Sequence, residues 1–183
     1  MGYAVAINKA LEELSGLSGP VSREIRFFSD VYSVDIPAGK VSLLPSGAPA
    51  KDFTSVLILH YAIQELKGLK PLENEWISFK ELSGGEAYYP AFRKRAIDPI
   101  ICKYRNNPAG LYANLDKLNG KKAEGADAGI ILDAFSGVPV MVLAWKADEE
   151  FSAEANLLFD RSISGIFSTE DIAVLAGYIT KYV

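Results

Sequence analysis

The chain has 183 residues, 49% of them apolar, and a formal net charge of −4 at pH 7. That length and composition exclude a disordered chain and allow one domain with its own core. The mild acidity argues against nucleic acid or an anionic membrane as the main partner.

Cys102 is the single cysteine. It excludes an internal disulfide and a cysteine metal cage, and nothing requires an oxidising compartment, so the cytoplasm is the expected location. The N-terminus does not read as a signal peptide, because Asn8, Lys9, Glu12 and Glu13 interrupt its apolar residues. The longest apolar stretch elsewhere, Val138 to Trp145, is too short to span a bilayer as a helix. Apolar residues run along the whole sequence, so 1–183 is expected to form a single domain, with 1–19 as an N-terminal helix.

In chain order, Tyr3, Ile7, Ala10, Leu11 and Leu14 fall on one helical face, with Gly16 as its stop. Glu24–Phe28, Val31–Ile36 and Val41–Leu44 are short β-rich runs separated by Ser29-Asp30 and Pro37-Ala38-Gly39-Lys40, which predicts an antiparallel meander. After a loop from Pro45 to Pro49, Phe53, Val56, Leu57, His60, Tyr61 and Gln64 line a helix with Asp52 as its N-cap. Gly68 to Asn74 is a connector, and Trp76 to Phe79 a short strand.

Glu86 to Arg105 reads as helix in two pieces, with Asp98 capping the second and Pro99 in its first turn. Asn107-Pro108 opens another helix carrying Leu111, Leu115 and Leu118, and Lys121 to Asp127 is a polar loop. Gly129–Phe135 and Val138–Lys146 are the clearest strands, joined at Ser136-Gly137 as a hairpin. Leu157-Leu158-Phe159 adds a strand. Ser168 and Asp171 form a capping box ahead of the last helix, whose stripe is Ile172, Leu175, Ala176 and Ile179. Strands grouped early and late, with helices between, define an α+β fold: antiparallel sheet packed against several helices.

The densest carboxylate group is Asp148-Glu149-Glu150, followed by Glu154 and Asp160. Hard cations need several oxygen donors, and this run has them, without the spacing of a calcium loop. The plainer reading is a solvated acidic turn, and a third is pairing with Arg93 or Arg95. His60 is the only histidine. On an apolar helix face it reads as a hydrogen-bonded core residue; pairing with Cys102 has no local motif behind it. Ser83-Gly84-Gly85 precedes a helix bearing Arg93, Lys94 and Arg95, an arrangement able to hold an anion. It fits neither the phosphate-loop nor the dinucleotide pattern, and a plain turn explains it as well. Trp76, Phe79, Tyr88, Tyr89 and Phe92 concentrate aromatic rings there, as pocket wall or as core. Asp133 sits in an apolar strand and needs a partner if it points inward.

Trp76-Ile77-Ser78-Phe79-Lys80-Glu81-Leu82 with Gly84-Gly85 and Tyr88, Val140 to Trp145 running into Asp148-Glu149-Glu150-Phe151, then Leu158-Phe159-Asp160 and Glu170-Asp171, resemble an uncharacterised family, "domain of unknown function 3786". The resemblance covers residues 20–183. It implies kinship with proteins of anaerobic bacteria and archaea, some joined to an iron–sulfur segment or encoded near corrinoid and one-carbon enzymes. It supplies no activity, cofactor or catalytic residue.

The leading expectation is therefore a ligand-binding or accessory protein with a small molecule or a metalloprotein as partner. Trp76, Gly84, Gly85, Tyr88, Arg93 and Arg95 would form its pocket, and Asp148, Glu149, Glu150 and Asp160 would rim the same site. A second expectation is a carboxylate enzyme using a divalent metal on an anionic small molecule. A third is an interaction protein forming a homo-oligomer through the edges of the early meander.

Overall fold

A computed structural model describes residues 2–19 and 21–183. Pro20, where the N-terminal helix was expected to give way to the rest of the chain, lies outside the described residues, as does Met1. Contacts group the chain into two compact units, Met1–Pro71 and Leu72–Val183, each described by itself.

In the first unit, α1 runs Gly2–Ser18 and buries Ala10, Leu11 and Leu14. It passes straight through Gly16, the expected stop. The turn comes at Gly19, whose positive φ of 71° lets its N–H reach Ser15 O at 3.0 Å. β1 (Arg23–Phe27), β2 (Asp30–Asp35) and β3 (Lys40–Leu44) form the predicted antiparallel meander, extended by a two-residue β4 (Ala48–Pro49) where only a loop was expected. The β2–β3 turn is set by Asp35 Oδ1, which accepts from Ala38 N at 3.0 Å. α2 (Asp52–Lys67) packs on α1. Its N-cap is Lys51; Asp52 is the first helical residue, where its charge still meets the positive end of the helix dipole.

The second unit is built on a five-stranded antiparallel sheet in the order β5-β9-β8-β7-β6. The strands are β5 (Trp76–Ser78), β6 (Lys121–Lys122), β7 (Ala128–Phe135), β8 (Val138–Trp145) and β9 (Glu154–Asp160). The β7–β8 hairpin turns at Ser136-Gly137, as predicted. Pairing of Lys121 with Ile131 puts a short edge strand inside the expected polar loop.

Strand alternation sorts the side chains by face. One face carries Ile77, Leu157, Phe159, Val140, Val142, Ile130 and Leu132, all at most 2% exposed. α4 packs against β8 and β9. The opposite face carries Trp76, Asp160, Leu158, Pro139, Met141, Trp145, Asp133, Ile131 and Lys121, as the registers Trp76–Asp160, Met141–Leu158, Asp133–Pro139 and Ile131–Met141 require.

The helical stretch after β5 is continuous instead of broken. α3 (Gly85–Phe92) leads into a π-helical turn, Arg93–Ile97, and then α4 (Asp98–Tyr104). Asp98 is the first residue of α4, not its cap; its N–H reaches back to Arg93 O. The wider turn absorbs Pro99, which has no N–H to place. Pro108–Asn114 is 3₁₀ where an α-helix was expected. α5 (Thr169–Tyr182) starts at the predicted capping box: Ser168 Oγ accepts from Asp171 N, and Asp171 Oδ2 accepts from Ser168 N.

Candidate functional site: a cleft at one end of the five-stranded sheet

Asp160 ends β9, and only 3% of its surface is exposed. Its carboxylate accepts from Glu73 N at 3.0 Å, Asn74 N at 2.7 Å and Ser162 N at 3.0 Å. Burial pushes this carboxyl up, but the hydrogen bonds from Ser162, Glu73 and Asn74 outweigh it and hold the group below its ordinary value. Next door, Arg161 grips Glu75 through two bonds of 2.6 and 2.7 Å. The connector after the first unit is therefore fastened to the end of β9 by consecutive residues.

The fastening shapes a cleft of about 450 Å³. Leu72, Trp76, Ile131 and Pro139 give it apolar walls, and Asn74, Asn119, Lys121 and Asp133 give it polar groups, with Asp160 also in the lining. Asn74 and Asn119 both hold left-handed backbone, at φ 56° and 50°. Asparagine adopts this conformation more readily than other non-glycine residues, which suits it to the turns that place these two amides. Lys121 and Asp133 sit on neighbouring strands, two register positions apart on one face, which sets their Cβ atoms about 7–8 Å apart. The arrangement is an amphipathic pocket: one large ring, two amides, one ammonium (Lys121) and two carboxylates (Asp133 and the already hydrogen-bonded Asp160).

The sequence-predicted residues are distributed over three places. Trp76 and Asp160 meet in this cleft, directly paired across β5 and β9. Gly84, Gly85 and Tyr88 lie elsewhere; Gly84 and Tyr88 line a separate depression of about 320 Å³ with Ser83, Thr169 and Glu170. Both glycines have packing reasons. Gly84 holds φ 74°, and a Cβ on Gly85 would lie 1.9 Å from Phe79 O. Glu170 gives that depression the wrong charge for the anion suggested by the glycines. Among the aromatics, Phe79 and Phe92 stack at 3.9 Å inside the core, while Tyr88 is 42% exposed.

Asp148, Glu149 and Glu150 occupy the β8–β9 turn, beyond the paired ends Trp145 and Glu154. Glu154 and Asp160 are the two ends of β9, so the acidic run spreads over roughly 20 Å and does not form one cluster. Asp148 closes its own turn: Oδ1 accepts from Phe151 N at 2.7 Å and Glu150 N at 2.9 Å, and those two bonds lower its pKa. Among the described residues no three of His, Cys, Asp and Glu gather to hold a metal ion. The cationic helix and the acidic stretch do touch at one point, where Arg93 Nη2 lies 3.6 Å from Glu154 Oε2. Arg95 is exposed, its stem against Gly177. His60 is half-buried on α2 of the first unit, and Cys102 is exposed on α4 of the second. Asn74, Asn119 and Lys121 were not singled out by sequence.

Fold and cleft together define an α+β protein with an amphipathic pocket at the end of an antiparallel sheet. The chain belongs to the family described as Domain of unknown function (DUF3786), whose model matches residues 10–182. No curated protein and no solved structure matches it. Among the described residues no helix is long and apolar enough to cross a membrane.

Proposed function

We propose that this protein binds a small molecule in the Trp76–Asp133 cleft and acts as a binding or accessory protein. The observation that carries the reading is the convergence of Trp76, Asn74, Asn119, Lys121 and Asp133 on one cleft of about 450 Å³. Most of these side chains add little to the core, so their gathering there is better explained by a ligand than by stability. Trp76 offers a flat apolar surface, the two amides offer donors and acceptors, and Lys121 and Asp133 offer one charge of each sign. Service to anaerobic cofactor or one-carbon metabolism, with a metalloprotein as partner, is the part of this reading supported by the family resemblance alone.

The test is mass spectrometry and absorption spectroscopy of protein purified without oxygen, compared with a Trp76→Ala, Asp133→Ala double variant. A small molecule retained by the native chain and lost from the folded variant is the expected result. Retention by both, or by neither, removes the reading. The metal-dependent enzyme draws no support from the acidic run, whose best-placed carboxylates, Asp148 and Asp160, are engaged by backbone N–H groups.

A further inference from the structure

At the opposite end of the same sheet from the cleft, Phe151 is 70% exposed, the most exposed large apolar side chain among the described residues. Leaving such a ring in water forgoes about 1.5–3 kcal/mol of burial. The backbone that carries the ring is fixed by the turn, with Phe151 N bonded to Asp148 Oδ1 and Phe151 O accepting from Asp148 N. Trp145, the last residue of β8, lines the same cleft of about 500 Å³. The charged lining is three carboxylates, Asp127, Asp148 and Glu154, against one ammonium, Lys146, with the Arg93 guanidinium 3.6 Å from Glu154. Asp127 is itself tied in place, accepting from Lys146 N at 2.9 Å.

We propose that this second cleft is a binding site for an organic cation, a substituted ammonium or a guanidinium, held against Trp145 and Phe151. Aromatic faces attract cations through their quadrupole, and tryptophan does so best. Carboxylates around the rim add long-range attraction, and aromatic rings, unlike oxygen ligands, do not replace the water shell of a strongly hydrated inorganic ion. Two aromatic side chains lining the same cavity as the carboxylates distinguish this place from a solvated acidic turn. The cleft is independent of the Trp76 cleft: Glu154 and Asp160, which line the two, are opposite ends of β9.

The cation can come from a free quaternary amine or from a partner protein's arginine. The test uses the full chain and two matched pairs of probes: choline with its neutral tert-butyl isostere, and acetyl-arginine amide with acetyl-citrulline amide. The readout is the indole N–H resonance of Trp145, assigned by its loss in Trp145→Phe. The cation of each pair is expected to shift this resonance, and its neutral isostere to leave it unmoved. Phe151→Ala is expected to weaken binding about fivefold. The Trp76 indole resonance should stay still, and it reports whether each variant is folded. Tighter binding of the arginine probe assigns the site to a partner protein; tighter binding of choline assigns it to a metabolite. Equal shifts from neutral and charged probes, or no shift by any cation up to about 10 mM, overturn the proposal.

Discussion

The carboxylate of Asp160 accepts the backbone N–H of Asn74 at 2.7 Å, across 86 positions of sequence. That bond, with its companions from Glu73 and Ser162, holds the connector against the end of β9 and so shapes the cleft beside Trp76. Replacing Asp160 with Asn leaves one acceptor oxygen for three N–H groups and turns an amide donor toward them. The expected loss is about 2–3 kcal/mol of stability, measured by urea denaturation. A variant as stable as the native chain would remove the structural role assigned to Asp160.

The same group sets an acid limb. Its pKa is lower in the folded chain than in the unfolded one, so the unfolded chain takes up the proton first as pH falls. The stabilisation is complete above the ordinary carboxylate range and declines as pH drops through that range toward the lowered value. Denaturation midpoints followed into acid should fall more steeply for the native chain than for Asp160→Asn. Parallel curves would contradict this.

Gly85→Ala and Gly84→Ala should separate two kinds of strain. A Cβ at Gly85 would sit 1.9 Å from Phe79 O, a clash with backbone that only a shift of the turn can relieve. At Gly84 the space is open and only the positive φ opposes a side chain, at a cost of about 1 kcal/mol. Thermal melts should therefore place Gly85→Ala well below Gly84→Ala; the reverse order would contradict the close approach of Gly85 to Phe79 O.

Ser168→Ala removes the reciprocal bonds at the start of α5 and is expected to cost about 1 kcal/mol. Hydrogen exchange at the first turn of α5 should accelerate with it. By contrast, Arg93→Ala breaks ion pairs whose members are all about 40–50% exposed. Its effect should stay below about 1 kcal/mol and shrink further in high salt. A larger loss would give the Arg93–Glu154 contact a weight that its exposure does not suggest.

Lys121→Ala and Asp133→Ala test the cleft without disturbing the fold. Lys121 is exposed and Asp133 half-exposed, so each substitution should change stability by no more than about 0.5 kcal/mol. A small molecule retained by the native chain should be weakened by either change. Undiminished retention in both would place the ligand elsewhere.

Much of this molecule was written locally. The meander turns, the Ser136-Gly137 hairpin and the Ser168–Asp171 box each depend on residues within a few positions of one another, and period-two and period-3.6 patterns marked the strands and helices that bury them. The family resemblance was likewise legible in short stretches such as Trp76 to Leu82. The helix stop moved from Gly16 to Gly19 because a glycine inside a well-packed helix is tolerated, while a left-handed turn needs one. Pro99 did not break its helix because it stands in the first turn of α4, just after a wider π turn closed by the Asp98 N–H.

What the tertiary structure alone decided is which acids and rings share a place. Asp148 and Asp160 look like one group in sequence, yet an extended strand between them carries them to opposite ends of the sheet. Trp76 and Asp160 lie far apart in sequence, and of the acids expected to rim the site only Asp160 is set beside Trp76, by antiparallel pairing of β5 with β9. Local sequence fixes the shape of each element through short-range sterics and hydrogen bonds. The company a side chain keeps depends on strand register, which is settled by burial across the whole sheet.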